Sequence, residues 1–291
     1  MPKIVAIIQA RMGSSRLPGK VLLDIAGKPM IQHVIERTRR AETLDVVMVA
    51  TTTDEADRPI ADFCVSLGIP CTRGSQHDVL DRYYQAAKGH GADIIVRITA
   101  DCPLIDPGLV DQTVRLITEY RLPKTDFACN RLPPPFTRSF PIGLDVEACT
   151  FAALERAWRD ARQPFHREHV MPYLYEGVSL TVQDGLPNTE HRWLATGTSP
   201  RGFRIAQLHH EPDYGSLRWT VDTPEDLGFV GEVFSRFKKR NDFSWQEVLR
   251  LWQMEPGLAR INAGVRHKTM SEVDERNMNE GRNSDLDGRA R

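Results

Sequence analysis

The sequence contains no apolar stretch that approaches the roughly 18 residues needed for a membrane-spanning helix. It begins MPKIVAII, in which a charge comes too early for the apolar core of a signal peptide. The formal net charge of the 291 residues is only −1, so no overall basic field favours nucleic acid or an anionic membrane as a partner. These absences predict a cytoplasmic protein that binds neither membranes nor nucleic acid.

Cysteine is scarce and shows no pattern. The five cysteines never occur in C-x-x-C spacing, and their number is odd. They are therefore predicted to be reduced thiols in a cytosolic protein, which excludes a disulfide framework and a cysteine zinc site. Hydrophobic residues at 41% and charged residues at 26% are ordinary for a soluble globular protein.

Apolar runs alternate with helical stretches at intervals of about 20–25 residues, which is typical of a doubly wound, mostly parallel α/β sheet. The first predicted strands are 4–8, 46–50, 69–72 and 93–98. The helix after Asp54 is predicted to face inward with residues that include Cys64, Val65 and Leu67. One α/β domain is expected over 1–264, followed at 265–291 by a polar, disordered tail that cannot bury a core.

The first predicted strand runs directly into a basic loop, QARMGSSRLPGK, at residues 9–20. The loop carries Arg11, Arg16 and Lys20, and no carboxylate precedes Asp24. Its glycines and serines let backbone N–H groups approach an anion, while the three cations neutralise charge. Because ligands bind outside the carboxyl ends of parallel strands, a triphosphate is the expected guest. A basic surface loop is the alternative.

This loop differs from two common phosphate-binding loops. Gly13 and Gly19 enclose five residues where the P-loop has four, and Val21 stands in place of the metal-binding hydroxyl. The dinucleotide-binding pattern G-x-G-x-x-G is absent from the loop.

A carboxylate follows the fourth predicted strand, in the motif TADCPLIDP at 99–107. Asp101 would lie on the same rim as Lys20 if the sheet is parallel. A carboxylate facing a triphosphate is repelled unless a cation separates them, and Mg²⁺ favours one or two carboxylates together with phosphate oxygens and water. Asp101 is therefore a candidate Mg²⁺ ligand, with capping of a turn as the alternative.

A second motif with a carboxylate is LRWTVDTPEDL at 217–227. Its alternating apolar residues predict a strand at 217–221 that ends at Asp222, and Pro224 followed by acids is typical of a first helical turn. Asp222 is either a functional carboxylate at a strand end or only a neighbour of the helix N-cap.

Two intervening segments have mixed character. Residues 132–147 contain three successive prolines, which favour a protruding hairpin or lid, and Asp145 and Glu147 would share one strand face. That face is turned either to a ligand or to solvent at a sheet edge. The segment FHREHVMPYL at 165–174 has two histidines at i and i+3, but it matches no zinc motif.

These motifs, together with DIAGKPMI, PIGLDVE and REHV, resemble those of the sugar-acid cytidylyltransferases, which include the CMP-Kdo and acylneuraminate synthetases. The nearest resemblance is to the branch labelled spore-coat polysaccharide biosynthesis protein F, and it covers roughly Met1 to Lys268. It implies a Rossmann-like nucleotidyltransferase sheet with a small hairpin or lid insertion at about 126–176. It also implies transfer from CTP to an acidic or 2-keto sugar, giving a CMP-sugar and pyrophosphate for surface polysaccharide biosynthesis.

The resemblance implies a role for each candidate residue. Lys20, Arg11 and Asp101 are the expected catalytic residues, and Asp101 and Asp222 the expected Mg²⁺ ligands. The nucleotide is expected to contact Ala10, Arg11, Gly13, Ser14, Ser15, Arg16, Lys20, Thr51, Arg73 and Asp78, although capping of a helix is the alternative for Asp78. The sugar is expected to contact Asp145, Glu147, Arg167, Glu168 and His169, although the segment at 165–174 has an ion-paired contact in a homodimer as its alternative. CMP-Kdo synthetases carry Gln-Gly before the matching aspartate, whereas this chain has Thr99-Ala100, a departure that bears on the sugar rather than the metal.

Two other functions are weighed against this one. A glycosyltransferase of the related fold would usually hold its metal with a D-x-D motif, and here that motif occurs only at Asp285–Asp287 in the predicted tail. A non-catalytic nucleotide-binding protein would have no need of the pair Asp101 and Asp222.

Overall fold

The computed structural model describes residues 1–119, 124–183 and 192–266. Its strands are β1 (Ile4–Gln9), β2 (Asp24–Ile25), β3 (Lys28–Pro29), β4 (Val46–Thr52), β5 (Cys71–Gly74), β6 (Ile94–Thr99), β7 (Phe127–Cys129), β8 (Glu147–Thr150), β9 (Thr181–Gln183), β10 (Arg192–Thr198) and β11 (Arg204–His210). Its α-helices are α1 (Met30–Thr38), α2 (Arg58–Ser66), α3 (Val79–Gly89), α4 (Pro107–Thr118), α5 (Phe151–Asp160), α6 (Pro164–His169), α7 (Pro172–Tyr175), α8 (Pro224–Arg236), α9 (Trp245–Met254) and α10 (Pro256–Arg260). Short 3₁₀ helices span Lys20–Leu22 and Glu55–Asp57. Most of the predicted tail, 267–291, lies outside the described residues.

Nine strands form one sheet in the order β5-β4-β1-β6-β8-β7-β11-β10-β9. The strands β5, β4, β1 and β6 are parallel, as are β7 and β11, and the remaining pairs are antiparallel. The predicted α/β class is thus confirmed, with the parallel strands next to one another in the amino-terminal half. Among the described residues, no helix is both long and apolar enough to cross a membrane.

Both faces of the sheet are covered, and β1 shows this most clearly. Ile4, Ala6 and Ile8 belong to one core cluster, while Val5 and Ile7 belong to the other. The first cluster includes side chains of α1, α4, α8 and α9, and the second includes side chains of α3, α5 and α7. A strand buried on both faces must be apolar at every position, which is why its sequence is a continuous run rather than an alternation.

Two predictions about the first half need correction. In α2, Cys64 is buried as expected, but Val65 and the C-cap residue Leu67 are 78% and 42% exposed, because only one face of this helix meets the sheet. The strand predicted at 69–72 is β5, shifted to Cys71–Gly74.

The segment predicted to include a lid contributes two strands to the middle of the sheet. β7 and β8 pair with each other, and β8 also pairs with β6. The residues between them, 130–146, lie outside the named strands and include the three prolines, which cannot supply regular N–H donors, and the rest of the segment forms α5, α6 and α7.

The strand predicted at 217–221 is wrong. The segment is extended, and Trp219 and Val221 are fully buried, but it makes a single bridge, from Arg218 to Ile142. The two backbones nearly touch at Gly143, where a Cβ would lie 2.5 Å from the amide nitrogen of Thr220. Alternation therefore predicted burial correctly but not membership of the sheet.

Candidate active site

The basic loop starts at the carboxyl end of β1 and folds back on itself. The carbonyl of Met12 accepts hydrogen bonds from the N–H groups of Ser14, at 3.0 Å, and Gly19, at 2.9 Å. Gly19 has φ +69°, a conformation that strongly favours glycine. Asp57 fixes the loop from outside, because its carboxylate accepts the Met12 N–H at 2.6 Å and the hydroxyl of Thr52.

Sheet register brings the loop to the first aspartate motif. Gln9 lies opposite Thr99 in the parallel pair β1–β6, so the loop and Asp101 leave the sheet side by side. The carbonyl of Asp101 accepts hydrogen bonds from the N–H of Val221 at 2.9 Å and from the hydroxyl of Thr220 at 3.0 Å. These bonds place Asp222 at the same rim.

Lys20 joins these motifs. Its Nζ lies 2.9 Å from Oδ2 of Asp101 and 2.8 Å from Oδ1 of Asp222, and it donates to the carbonyl of Val221 at 2.8 Å. The side chain is buried, with 8% of the residue exposed. The aspartates predicted as a pair, over 120 residues apart in sequence, therefore converge on one cation.

Two arginines are also ion-paired with Asp222. Arg16 lies 2.9 Å from its Oδ2, and Nη2 of Arg218 lies 2.8 Å from the same oxygen. Arg218 also binds both carboxylate oxygens of the buried Asp226, each at 2.9 Å. Asp226 closes the capping box of α8 with Thr223, so this helix start holds Asp222 in position.

The electrostatics of the cluster favour its charged forms. Burial alone would raise the pKa of Asp222, but Lys20, Arg218 and Arg16 lower that pKa below its ordinary value. Burial alone would likewise lower the pKa of Lys20, but Asp101 and Asp222 raise it above its ordinary value. Each group is therefore ionised at neutral pH because its partners outweigh its desolvation.

A cleft of about 280 Å³ opens beside this cluster. Its lining residues are Arg97, Thr99, Asp101, Cys102, Arg131, Ile142, Gly143, Asp145, Glu147, His169, Tyr175, Thr220 and Asp222. Five predicted site residues thus meet in one space: Asp101, Asp145, Glu147, His169 and Asp222. The cleft lies beside the basic loop, because Lys20 of that loop contacts Asp101 and Asp222 in the cleft lining.

Glu147 and Asp145 are ion-paired inside the cleft, not turned to solvent. Glu147, which is 3% exposed, lies 2.5 Å from Nη1 of Arg97. Asp145 receives two hydrogen bonds from Arg138, at 2.5 and 3.1 Å. Arg131 is more distant, at 3.9 Å from Asp145 and 4.0 Å from Glu147, and within the described residues its buried Nε has no hydrogen-bond partner.

The histidine of the cleft is neutral at physiological pH. Burial, together with the nearby cations Arg97 and Arg131, lowers the pKa of His169 to about 4. A neutral imidazole can donate or accept a hydrogen bond without adding charge to the cleft.

The other predicted residues have structural partners elsewhere. Asp78 caps α3 by accepting the N–H of Asp81 at 2.8 Å, and it is ion-paired with Arg167, whose Nε lies 2.9 Å away. Arg167 and the half-buried Glu168 lie outside the cleft lining. The resemblance assigned Asp78 to the nucleotide and Arg167 to the sugar, but in the structure the two residues form an ion pair with each other.

Three other residues predicted to contact the nucleotide lie at or just after the ends of β1, β4 and β5. Arg73 donates to the carbonyl oxygens of Thr52, at 2.8 Å, and Asp54, at 2.7 Å. Thr51 is fully buried. Ala10 is also buried, and its N–H extends the β1–β4 pairing with a 3.1 Å bond to Ala50.

Sequence reasoning missed several residues of the site. Arg97 interrupts the buried apolar strand IIVRIT, and a charge inside such a run was the available signal. Arg131, Tyr175 and Arg218 carried no comparable signal, because only the folding of distant segments brings them to the cleft or to Asp222.

The aspartate pair fits a magnesium ion. Asp101 and Asp222 already share one cation, and Mg²⁺ is typically bound by one or two carboxylates plus phosphate and water oxygens. Within the described ranges, no set of three or more His, Cys, Asp or Glu side chains could hold a metal. Two carboxylates are the donor set expected for a Mg²⁺ ion whose remaining ligands are phosphate and water oxygens.

An enzyme that transfers a nucleotide needs a site for the phosphates and a site for the acceptor, and this α/β sheet carries a basic loop and a cleft side by side along one rim. The fold and site define a nucleotidyltransferase. A family model described as cytidylyltransferase matches residues 5–206, and the chain belongs to this family. The resemblance found in the sequence is confirmed, and CTP is the nucleotide substrate of the family.

Individual relatives agree with this assignment. The chain is 48% identical over 254 residues to a 3-deoxy-manno-octulosonate cytidylyltransferase of Trichlorobacter lovleyi, covering 79% of this chain and 98% of the relative. It is 28% identical over 264 residues to the spore coat polysaccharide biosynthesis protein SpsF of Bacillus subtilis, covering 89% and 98%. A solved cytidylyltransferase structure from Leptospira borgpetersenii superposes with a TM-score of 0.77 at 31% identity, covering 92% of this chain and 100% of that one.

Proposed function

We propose that this protein transfers the cytidylyl group of CTP to a hydroxyl of an acidic or 2-keto sugar, giving a CMP-sugar and pyrophosphate for surface polysaccharide biosynthesis. The observation that carries the acidic acceptor is Arg131, a cleft arginine whose Nε lacks a hydrogen-bond partner among the described residues. Its contacts with Asp145 and Glu147, at 3.9 and 4.0 Å, are too long for hydrogen bonds. A carboxylate bound in the cleft would pair with the Arg131 guanidinium, which no carboxylate among the described residues approaches closer than 3.9 Å.

The charge of the acceptor end supports the same choice. Within the described residues, the ion pairs at this end join Arg97, Arg131 and Arg138 to Asp145 and Glu147. The other two carboxylates of the cleft lining, Asp101 and Asp222, are paired with Lys20. Burial opposes the charge of Arg131, but the neighbouring carboxylates raise its pKa, so it stays a cation. Three cations and two anions leave one positive charge, which a monoanionic sugar would neutralise.

In the proposed reaction, the sugar hydroxyl oxygen bonds to the α-phosphorus of CTP. The bond from that phosphorus to the bridging oxygen breaks, pyrophosphate leaves with the bonding electrons, and the hydroxyl proton passes to solvent. Arg11, Arg16 and Lys20 neutralise the phosphates, and the loop at 13–15 contacts them. Catalysis then consists of positioning and charge neutralisation, without a covalent enzyme intermediate.

The carboxylates of Asp101 and Asp222 would hold Mg²⁺, which when bound would polarise the α-phosphate. Arg218 and the start of α8 keep Asp222 aimed at the rim. In the cleft, Glu147 and Asp145 have oxygens that can accept hydrogen bonds from sugar hydroxyls, and neutral His169 can donate one.

The test is pyrophosphate release from CTP with a panel of sugars, in which each 2-keto sugar acid is paired with its methyl ester. We expect the acid to be preferred at least tenfold in kcat/KM, and Arg131→Met to remove most of that preference by raising KM for the acid. Equal use of acid and ester by the wild-type protein would refute the acidic acceptor. No pyrophosphate release with any sugar would refute the proposed reaction.

A further inference from the structure

The ammonium group of Lys20 has no donor left for a phosphate. A lysine ammonium carries three N–H donors. In Lys20 they meet three oxygens, those of Asp101, Asp222 and the Val221 carbonyl, all between 2.8 and 2.9 Å from Nζ. Lys20 can therefore donate to a triphosphate only by giving up at least one of these three contacts, and two of them are with the carboxylates that would hold the metal.

The charges of the surrounding cluster already balance. Its carboxylates are Asp101, Asp222 and Asp226, and its cations are Arg16, Lys20 and Arg218. Three negative and three positive charges leave no net charge in a largely buried group. A divalent cation arriving alone would add two uncompensated positive charges beside Lys20, which is unfavourable where water is scarce.

We propose that Lys20 is an internal counter-ion that occupies the metal position between Asp101 and Asp222 until nucleotide arrives. When metal and triphosphate bind together, the ammonium moves from the carboxylates to a phosphate, and the carboxylates receive the metal. Every charge then keeps an opposite partner throughout the exchange. Lys20 acts here as a positioning residue in addition to its proposed phosphate contact.

This exchange makes metal and nucleotide binding mutually dependent. Without nucleotide, a metal ion must displace the Lys20 ammonium from both carboxylates without a phosphate to accept it. The nucleotide-free protein should therefore bind metal poorly. A triphosphate that binds the Lys20 ammonium releases the two carboxylates and so increases the affinity for the metal. By thermodynamic linkage, bound metal increases the affinity for the nucleotide by the same factor. The inference rests on the proposed roles of Asp101 and Asp222, and its test is designed to separate the two.

The experiment measures Mn²⁺ binding to nucleotide-free protein from the electron paramagnetic resonance signal of free Mn²⁺. Lys20→Met keeps the apolar stem and removes the ammonium, and Lys20→Gln is the second variant in case the first does not fold. We expect either folded variant to bind Mn²⁺ at least tenfold more tightly than the wild-type protein. Adding Asp222→Asn to the variant should abolish the gain.

Two matched controls isolate the position of the charge. Arg16→Gln also removes a cation from Asp222 but leaves Lys20 between the carboxylates, so its gain should be much smaller. Lys28→Gln removes a lysine paired with Glu36 and should leave Mn²⁺ binding unchanged. Circular dichroism of each variant verifies the fold.

A Lys20 variant that folds but binds Mn²⁺ no better than the wild-type protein would overturn the exchange. So would a gain that survives Asp222→Asn, because the metal would then bind elsewhere. Pyrophosphate release by the wild-type protein is measured separately with Mg²⁺ and with excess EDTA. If pyrophosphate release depends on metal but Lys20 variants bind Mn²⁺ no better than the wild-type protein, the exchange is refuted and the proposed function is supported. If no pyrophosphate is released, the proposed function is refuted whatever the result of the Mn²⁺ binding experiment.

Discussion

The buried pair between Glu147 and Arg97 offers a sharp test of how the cleft is stabilised. Glu147 is 3% exposed and lies 2.5 Å from the guanidinium of Arg97, in the middle of the sheet where β8 meets β6. Glu147→Gln removes the charge while nearly preserving shape. Arg97 would then keep only neutral or distant partners, such as the side chain of Gln9 at 3.2 Å.

The expected cost follows from the burial of this pair. Removing one partner of a buried ion pair costs roughly 3–5 kcal/mol, because the remaining charge is left uncompensated. Glutamine retains one acceptor oxygen and Gln9 stays in place, so we expect the lower end, about 3 kcal/mol. For a chain of this size that corresponds to a fall in Tm of roughly 6–12 °C.

The measurement is urea unfolding of the nucleotide-free protein, with Tm from circular dichroism. The matched control is Glu232→Gln, which makes the same substitution in an exposed pair with Arg236 on the surface of α8. An exposed pair contributes little, so its change should stay within about 1 kcal/mol. Equal decreases in the free energy of unfolding of the two variants would refute the reasoning, because Arg97 would then be stabilised equally well by water or by another partner.

Three further predictions concern the site and the pH dependence. Lys20→Ala should reduce pyrophosphate release about 100-fold or more. It should also lower Tm, because it leaves two neighbouring carboxylates without their shared cation. Unchanged pyrophosphate release would remove Lys20 from the mechanism. Asp101→Asn and Asp222→Asn should each abolish most activity, and the double variant should be little worse than the worse single one, because the two act as a unit; additive losses, or activity in excess EDTA, would contradict a shared Mg²⁺. His209 stacks on Trp193, and burial lowers its pKa to about 4, against a small opposing effect of Asp213. The fold favours the neutral form of His209, so its stabilising contribution is present above an unfolded pKa of about 6.5 and is lost as the pH falls towards 4. His209→Gln should therefore reduce the pH dependence of the free energy of unfolding between these two pH values. An unchanged pH dependence would show that His209 does not titrate in that range.

Local sequence was sufficient wherever a residue's role depends on its immediate neighbours. The continuous apolar run of β1 predicted a strand buried on both faces, and the basic loop after it predicted the rim where ligands bind. Pro224 was identified as the start of α8, and helix capping was the alternative given for Asp78, because capping is decided within one helical turn. The pairing of Asp101 with Asp222 was also predicted, but through resemblance to a family rather than through spacing.

Tertiary structure decided everything that depends on which distant segments meet. The segment at 217–221 alternates like a strand, yet it makes only one bridge among the described residues, from Arg218 to Ile142. Arg218 was visible only as a polar position between apolar ones, but in the fold it fixes Asp222 and Asp226. Lys20 looked like an exposed loop lysine, and it is buried because two carboxylates from remote segments enclose it. Hydrophobic pattern reports which face of an element is buried, whereas ion pairs over 80 or 200 residues depend on strand order and register, which no local pattern encodes.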